Sequence, residues 1–230
     1  MSRTAARSQV NIRHLKLYHS PATRSARVKW MLHEVVGDTF DVVKVSLIEG
    51  EHNSAAFSLI NRNHCVPVLE VTWDIGGSQR ILESASMVAF LADAYPEKHL
   101  APPSGASYAR ADYLQMLHFG STQMDAMLWQ LRLHERLLPQ LERDSRTAAR
   151  YRKKFAEEVE PLLASRLKAE TYICGKEFSA ADCVVGHGVL WARRHGLCRG
   201  EPFQSYLSSV SHRPAFASAF ADAPHFLVES

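Results

Sequence analysis

The stretch Gly50–Val71, GEHNSAAFSLINRNHCVPVLEV, crowds charge, histidine and asparagine in front of one apolar run. That run, VPVLEV, reads as a strand, and it opens on Val66-Pro67. Proline cannot donate a ladder hydrogen bond, so it is tolerated only at the first residue of a strand, on an edge or at a bulge. A cis bond at that point would turn the chain sharply and leave the Val66 N–H and C=O facing outward. The X-Pro linkage permits such a bond without requiring it.

Working outward, the strand VPVLEVTW passes through DIGG, a two-glycine hairpin signal, into a second strand, QRIL. The segment ESASMVAFLADAYP then reads as a helix. Its Met87, Val88, Leu91 and Tyr95 share a face, and Pro96 ends it. Upstream, SAAFSLIN is a short helix with Asn53 or Ser54 as its N-cap. Before that stand the strand FDVVKVSL (residues 40–47), a helix carrying Ala26, Trp30, Met31 and Val35, and the strand HLKLYH (residues 14–19). The order is β-α-β-α-β-β-α. A helical crossover makes the first two strands parallel, and a hairpin makes the last two antiparallel. That is a small mixed sheet with helices on both faces, the thioredoxin arrangement.

After Pro96 the pattern changes. HLAPPSGAS carries linker chemistry, and from Tyr108 onward only helical periodicity remains. One long helix spans residues 108–138. A second carries Pro161 in its interior as a kink. A third, SAADCVVGHGVLWARRHG, has glycines that imply close helix packing, and two short helices flank Pro214. The expected organisation is an N-terminal tail at 1–13, a thioredoxin-like domain at 14–96, a linker at 97–106 and an all-helical domain at 107–230. The tail, MSRTAARSQVNIR, is arginine-rich and acid-free, which suits a disordered arm or a targeting segment.

Composition narrows the function. The net charge of +3, from 27 basic and 24 acidic residues, is too balanced for a nucleic-acid surface, and no basic stripe appears. No run of eighteen apolar residues exists to span a membrane. The four cysteines form no C-x-x-C pair and no zinc spacing, so no metal is expected and free thiols in a reducing compartment are.

Three places could carry chemistry. In YHSPATRSARV a strand ends and a helix begins, and a helix N-terminus favours an anion, a thiolate included. Thr23 and Ser25 could each donate a hydroxyl there, or one of them could simply cap the helix. In ILESAS, Glu83 and Ser84 either cap the next helix or hold the ammonium–carboxylate end of a ligand. In FSAAD, Ser179 and Asp182 form a capping box of structural purpose.

Together these pieces resemble the cytosolic glutathione transferases, in particular the plant phi-type proteins and their bacterial relatives, from about Leu15 to Phe220. The resemblance rests on SPATRSARV, GEHNS, NRNHCVP, ESAS and FSAAD standing in the family's order and spacing. It implies a cis Val66-Pro67 bond, with the Val66 backbone pairing with the cysteinyl part of glutathione and Cys65 close by. It implies His52, with Asn53 in place of the family's lysine, at the glycyl carboxylate, and Glu83 and Ser84 at the γ-glutamyl end. His64 or Arg62 could restore the missing charge. Thr23 aligns with the family's activating serine, and Ser25 is its substitute. The electrophile pocket is expected from Met124, Met127, Leu128, Trp129 and Arg132, although a Met and aromatic stripe also suits a core. The implied protein is a cytoplasmic homodimer serving detoxification, with glutathione as co-substrate and a small-molecule electrophile as partner. Glutathione-dependent reduction of a peroxide or disulfide, or glutathione binding without turnover, are the alternatives.

Overall fold

The computed structural model describes residues 10–226. Four strands, β1 (Ile12–His19), β2 (Asp41–Lys44), β3 (Val68–Trp73) and β4 (Ser78–Ile81), lie in the order β2-β1-β3-β4. β1 and β2 are parallel, while β3 is antiparallel to both β1 and β4. The expected mixed sheet is present, and the N-terminal domain is thioredoxin-like.

β1 begins two residues earlier than the alternation in HLKLYH suggested. Ile12 pairs with Trp73 across an irregularity next to His14, and the Asn11 amide groups bond the Asp74 carboxylate. The expected tail therefore loses Ile12 and Arg13 to β1, and Asn11 to the hairpin residue Asp74, because the end of β3 and a hairpin carboxylate hold them. Residues 1–9 of that tail, and any targeting role they carry, lie outside the described residues.

Helices α1 (Ser25–Val36) and α3 (Ser84–Ala94) bury one face of the sheet with Leu15, Leu17, Leu69 and Val71. Alternation sends Tyr18 and Val68 to the opposite face, where they pack with Phe57 of the short α2 (Ala55–Ser58) and with Val45. Ser54, not Asn53, caps α2 by accepting from the Phe57 N–H at 3.1 Å.

From Tyr108 the chain is helical. α4 (Tyr108–Phe119) and α5 (Asp125–Arg132) are joined by a π-helical turn at Gly120–Met124, and a second such turn, Leu133–Leu137, extends α5. α6 (Ser145–Lys154) and α7 (Glu160–Ala169) run on through a third, Phe155–Val159, so Pro161 lies inside a continuous helical run, directly after the π turn where the regular hydrogen-bond ladder is already interrupted. α8 (Ala180–Arg193) runs through the centre, followed by α9 (Glu201–Ser211) and α10 (Pro214–Phe220).

The glycine reading of α8 holds. A Cβ on Gly186 would meet the Trp30 ring at 3.3 Å, and one on Gly188 would meet Met124 Cε at 2.8 Å. Trp30 of α1 is thereby wedged against α8, with Phe216 and Phe220 of α10 edge-on to it. One continuous core runs through both domains. The capping box is present as well. Asp182, fully buried, accepts from the N–H groups of Ser179 and Ile173 and from the hydroxyls of Ser179 and Tyr206. No described helix is long and apolar enough to cross a membrane.

Candidate active site

The N-terminal end of β3, the loop before α1 and the helices α5 and α8 enclose a cleft made of two joined cavities. One, about 490 Å³, is walled by Asn61, Val66, Pro67, Glu83, Ser84 and Asp125. The other, about 450 Å³, is walled by Thr23, His52, His64, Arg132, His187 and Trp191. Arg24, Cys65, Val66 and Trp129 border both. A larger cavity of about 670 Å³ beside Trp73 and Phe90 contains none of the expected site residues. Among the described residues, no group of three His, Cys, Asp or Glu side chains is placed to hold a metal ion.

The Val66-Pro67 bond is cis. Sheet pairing begins at Val68, opposite Tyr18, and among the described residues no hydrogen bond reaches the Val66 backbone. Its N–H and C=O stand at the cleft as the unpaired end of a strand, which is what an extended peptide-like ligand can complete. The polar residues ahead of it fix this edge. Asn61 is buried and donates from Nδ2 to the Cys65 carbonyl at 2.8 Å. His64 adopts φ 54° and its Nδ1 lies 2.9 Å from the His52 carbonyl. The Asn53 amide donates to His52 Nε2 at 3.2 Å, so neutral His52 carries its proton on Nδ1, a buried atom with no partner. Across the cleft, Glu83 holds φ 66° at the entry to α3 without capping it, and Ser84 is the first helical residue. A non-glycine side chain in that left-handed conformation is strained.

Thr23 occupies the turn before α1. Its hydroxyl lies 2.8 Å from the Ser20 carbonyl and 2.8 Å from Ser25 Oγ, and it accepts the Ser25 N–H at 3.3 Å. Behind it runs a buried chain. Ser25 Oγ lies 2.7 Å from His19 Nδ1, and His19 Nε2 lies 3.1 Å from the Asp222 carboxylate, which also takes the Lys29 ammonium at 2.8 Å. Asp222 accepts only, so the His19 proton sits on Nε2 and Nδ1 takes the Ser25 proton. Thr23 is left to donate its own proton either inward or into the cleft.

Burial pushes His19 down to about 4, with Lys29 adding to the effect and Asp222 opposing it. Between pH 6.5 and 4 the unfolded chain takes up a proton that the folded chain refuses. Stability therefore falls as pH falls through that window, by up to about 1.4 kcal/mol per unit. His187, lowered by complete burial and by Arg27, acts in the same direction. Urea midpoints measured at pH 7 and pH 5 are expected to show this loss, and His19→Gln to make it smaller.

The chain matches no family model. It is 25% identical to the glutathione S-transferase GstA of Escherichia coli O157:H7 over 214 residues, 91% of this chain and 94% of that protein. The crystal structure of a glutathione transferase from Methylococcus capsulatus superposes with a TM-score of 0.76 at 25% identity, covering 90% of this chain and 98% of that one. The bacterial glutathione transferase BphK, solved as a ternary complex, gives the same TM-score, identity and coverage. Over nearly its whole length this chain is similar to glutathione S-transferases.

Against the glutathione S-transferase expectations, the cleft gathers Thr23, His52, Cys65, Val66, Pro67, Glu83, Ser84, Trp129 and Arg132. Ser25 does not reach it. Ser25 is fully buried, and its hydroxyl is enclosed by the Ser20 backbone, Thr23 and His19. Asn53 borders neither cavity and acts through His52. Met124, Met127 and Leu128 are also corrections. They lie on the core face of α5 and its preceding turn, with Met124 against Gly188 of α8, and the opposite face presents Trp129 and Arg132.

Sequence reasoning missed the charges that join the domains. Asp125 of α5 takes Arg24 Nε at 2.6 Å and Arg27 Nη2 at 2.8 Å, and the Arg24 guanidinium lies between the rings of Trp129 and Trp191 at 5.1 and 5.2 Å. Burial opposes ionisation of Asp125, but Arg27 and Arg24 outweigh it and hold the carboxyl below its usual range.

Proposed function

We propose that this chain binds glutathione along the Val66 edge and uses the Thr23 hydroxyl and the N-terminus of α1 to hold the tripeptide's sulfur as a thiolate, which attacks a hydrophobic electrophile in the cavity beside Trp129 and Trp191. The observation that carries this reading is the opposition, across one cavity, of a free backbone strand end at Val66 and a hydroxyl at a helix N-terminus. The unpartnered Nδ1–H of His52 suits the glycyl carboxylate, and Glu83 with Ser84 suits the γ-glutamyl end. The named relatives are glutathione transferases, which supports the same chemistry.

The energetics are adequate without a general base. A thiol with pKa about 8.5 is only ~3% ionised at pH 7. Lowering it by ~2 units requires ~2.7 kcal/mol of differential stabilisation. A hydrogen bond to a charged acceptor contributes about 1.5–3 kcal/mol, and a helix terminus up to ~2 kcal/mol. The first turn of α1 contains no acidic side chain to cancel that field.

Titrating the ultraviolet absorbance of the thiolate in bound glutathione tests the proposal. The expected midpoint lies about two units below that of free glutathione. Binding with an unshifted midpoint would reject activation and leave a binding protein.

A further inference from the structure

Beyond the aromatic walls of the electrophile cavity lies a smaller one of about 190 Å³, and the two share Ala22, Arg132, Leu137 and Trp191. Arg136 and Arg194 also line the smaller cavity, and among the described residues no Asp or Glu lines either one. Two carboxylates of the same helical run, Glu135 and Asp125, are engaged elsewhere. Glu135 holds His195 and Arg152, and Asp125 holds Arg24 and Arg27.

Arg132 is half-buried at the end of α5 and has no hydrogen-bond or ion-pair partner among the described residues. Burial lowers its pKa, and Arg24, Arg136 and Arg194 lower it further. A guanidinium held among like charges, partly out of water and without a carboxylate, is unfavourable to the fold. Its planar fork matches a carboxylate in a bidentate manner. The adjoining walls, Trp129 and Trp191, accept a flat apolar body.

We propose that the electrophile is a carboxylate-bearing hydrophobic molecule, whose anionic group is received by Arg132 in the field of Arg136 and Arg194 while its reactive carbon stays beside the Trp129 and Trp191 rings. The proposal rests on the transferase reading and names its substrate class.

The test compares two aryl chlorides, the neutral 1-chloro-2,4-dinitrobenzene and the anionic 4-chloro-3,5-dinitrobenzoate. In each, the thiolate sulfur forms a bond to the ring carbon and chloride leaves with the C–Cl electron pair. Their intrinsic reactivities differ, so the quantity read is the ratio of kcat/KM, anionic over neutral, in wild type and variants. Arg132→Gln is expected to lower that ratio at least tenfold, and Arg132→Lys to retain part of it, since an ammonium keeps the charge but not the fork. An unchanged ratio overturns the proposal. If the KM for glutathione then rises with both electrophiles, Arg132 holds the tripeptide's own carboxylate.

A second readout separates this failure from failure of the transferase reading. Quenching of tryptophan fluorescence is measured with the unreactive pair 3,5-dinitrobenzoate and 1,3-dinitrobenzene. Preferential binding of the benzoate that is lost in Arg132→Gln sustains the anion site even where neither aryl chloride turns over. Equal binding of the two quenchers in wild type rejects it.

Discussion

Thr23→Ala is expected to lower kcat/KM for glutathione conjugation by roughly ten- to a hundredfold, and Thr23→Ser to keep most of the activity. The lost interaction is one hydrogen bond to an anionic sulfur, about 1.5–3 kcal/mol, and each 1.36 kcal/mol is a factor of ten in rate. That bond forms only with the charged sulfur. The variant should therefore bind glutathione nearly as well as wild type while its thiolate midpoint moves back toward that of free glutathione. When Thr23 turns its proton to the sulfur it gives up its bond to the Ser20 carbonyl, and Ser25 cannot replace it while its own proton is held by His19 Nδ1, so the gain is the difference between a charged and a neutral acceptor. Ser25→Ala provides the contrast. It removes a buried link between Thr23 and His19, so its first effect is on stability and on the orientation of the Thr23 hydroxyl. If Thr23→Ala retains the thiolate shift, the N-terminus of α1 alone activates the sulfur.

Features written locally in the chain were legible in the sequence. Val66-Pro67 at the head of an apolar run, the glycine hairpin and the Ser179–Asp182 box each concern neighbours within a few residues, where proline geometry, turn chemistry and capping act directly. The order of elements followed, and with it the fold. The side of a helix that faces a ligand is not local. Met124, Met127 and Leu128 share an apolar stripe with the core, and only the position of α8 decides that Trp129 and Arg132 face outward to the cleft. Ser25 looked equivalent to Thr23 because both are hydroxyls at a helix start, but Thr23 stands in the turn before α1, while Ser25 is the first residue of the helix and its hydroxyl is enclosed by the Ser20 backbone and His19. The charge network was invisible for the same reason. Arg24 and Asp125 stand 101 residues apart, and His19 and Asp222 stand 203 apart. No spacing rule connects them before the two domains pack.

Asp125→Ala is expected to cost about 3–5 kcal/mol, the largest effect foreseen for a single substitution in the cleft. Asp125 is 5% exposed and Arg27 is 0% exposed, so neither can recover its charge balance from water. Arg27 already has Nε and Nη1 buried without partners. With Asp125 gone, its Nη2 faces only His187 Nδ1, 3.1 Å away. His187 cannot compensate, since burial keeps its ring neutral and its protonated form would be a second cation. Arg24 is different: about a third of its side chain is exposed, and its stacking on Trp129 and Trp191 survives the loss of the carboxylate. The orphaned charge is therefore that of Arg27. Asp125→Asn should lie between wild type and alanine, because it keeps an acceptor and loses the charge. Pairing Asp125→Leu with Arg27→Met should recover much of the stability, because an apolar pair of similar size leaves no buried charge unpaired. Urea denaturation of wild type, Asp125→Ala, Asp125→Asn, the single variants Asp125→Leu and Arg27→Met, and the double variant measures this directly. Additive losses in the double variant would mean that the two side chains contribute separately by packing. Recovery would mean that this buried carboxylate exists to neutralise Arg27, and that it joins α1 to α5 at the wall of the cleft where the electrophile is proposed to bind.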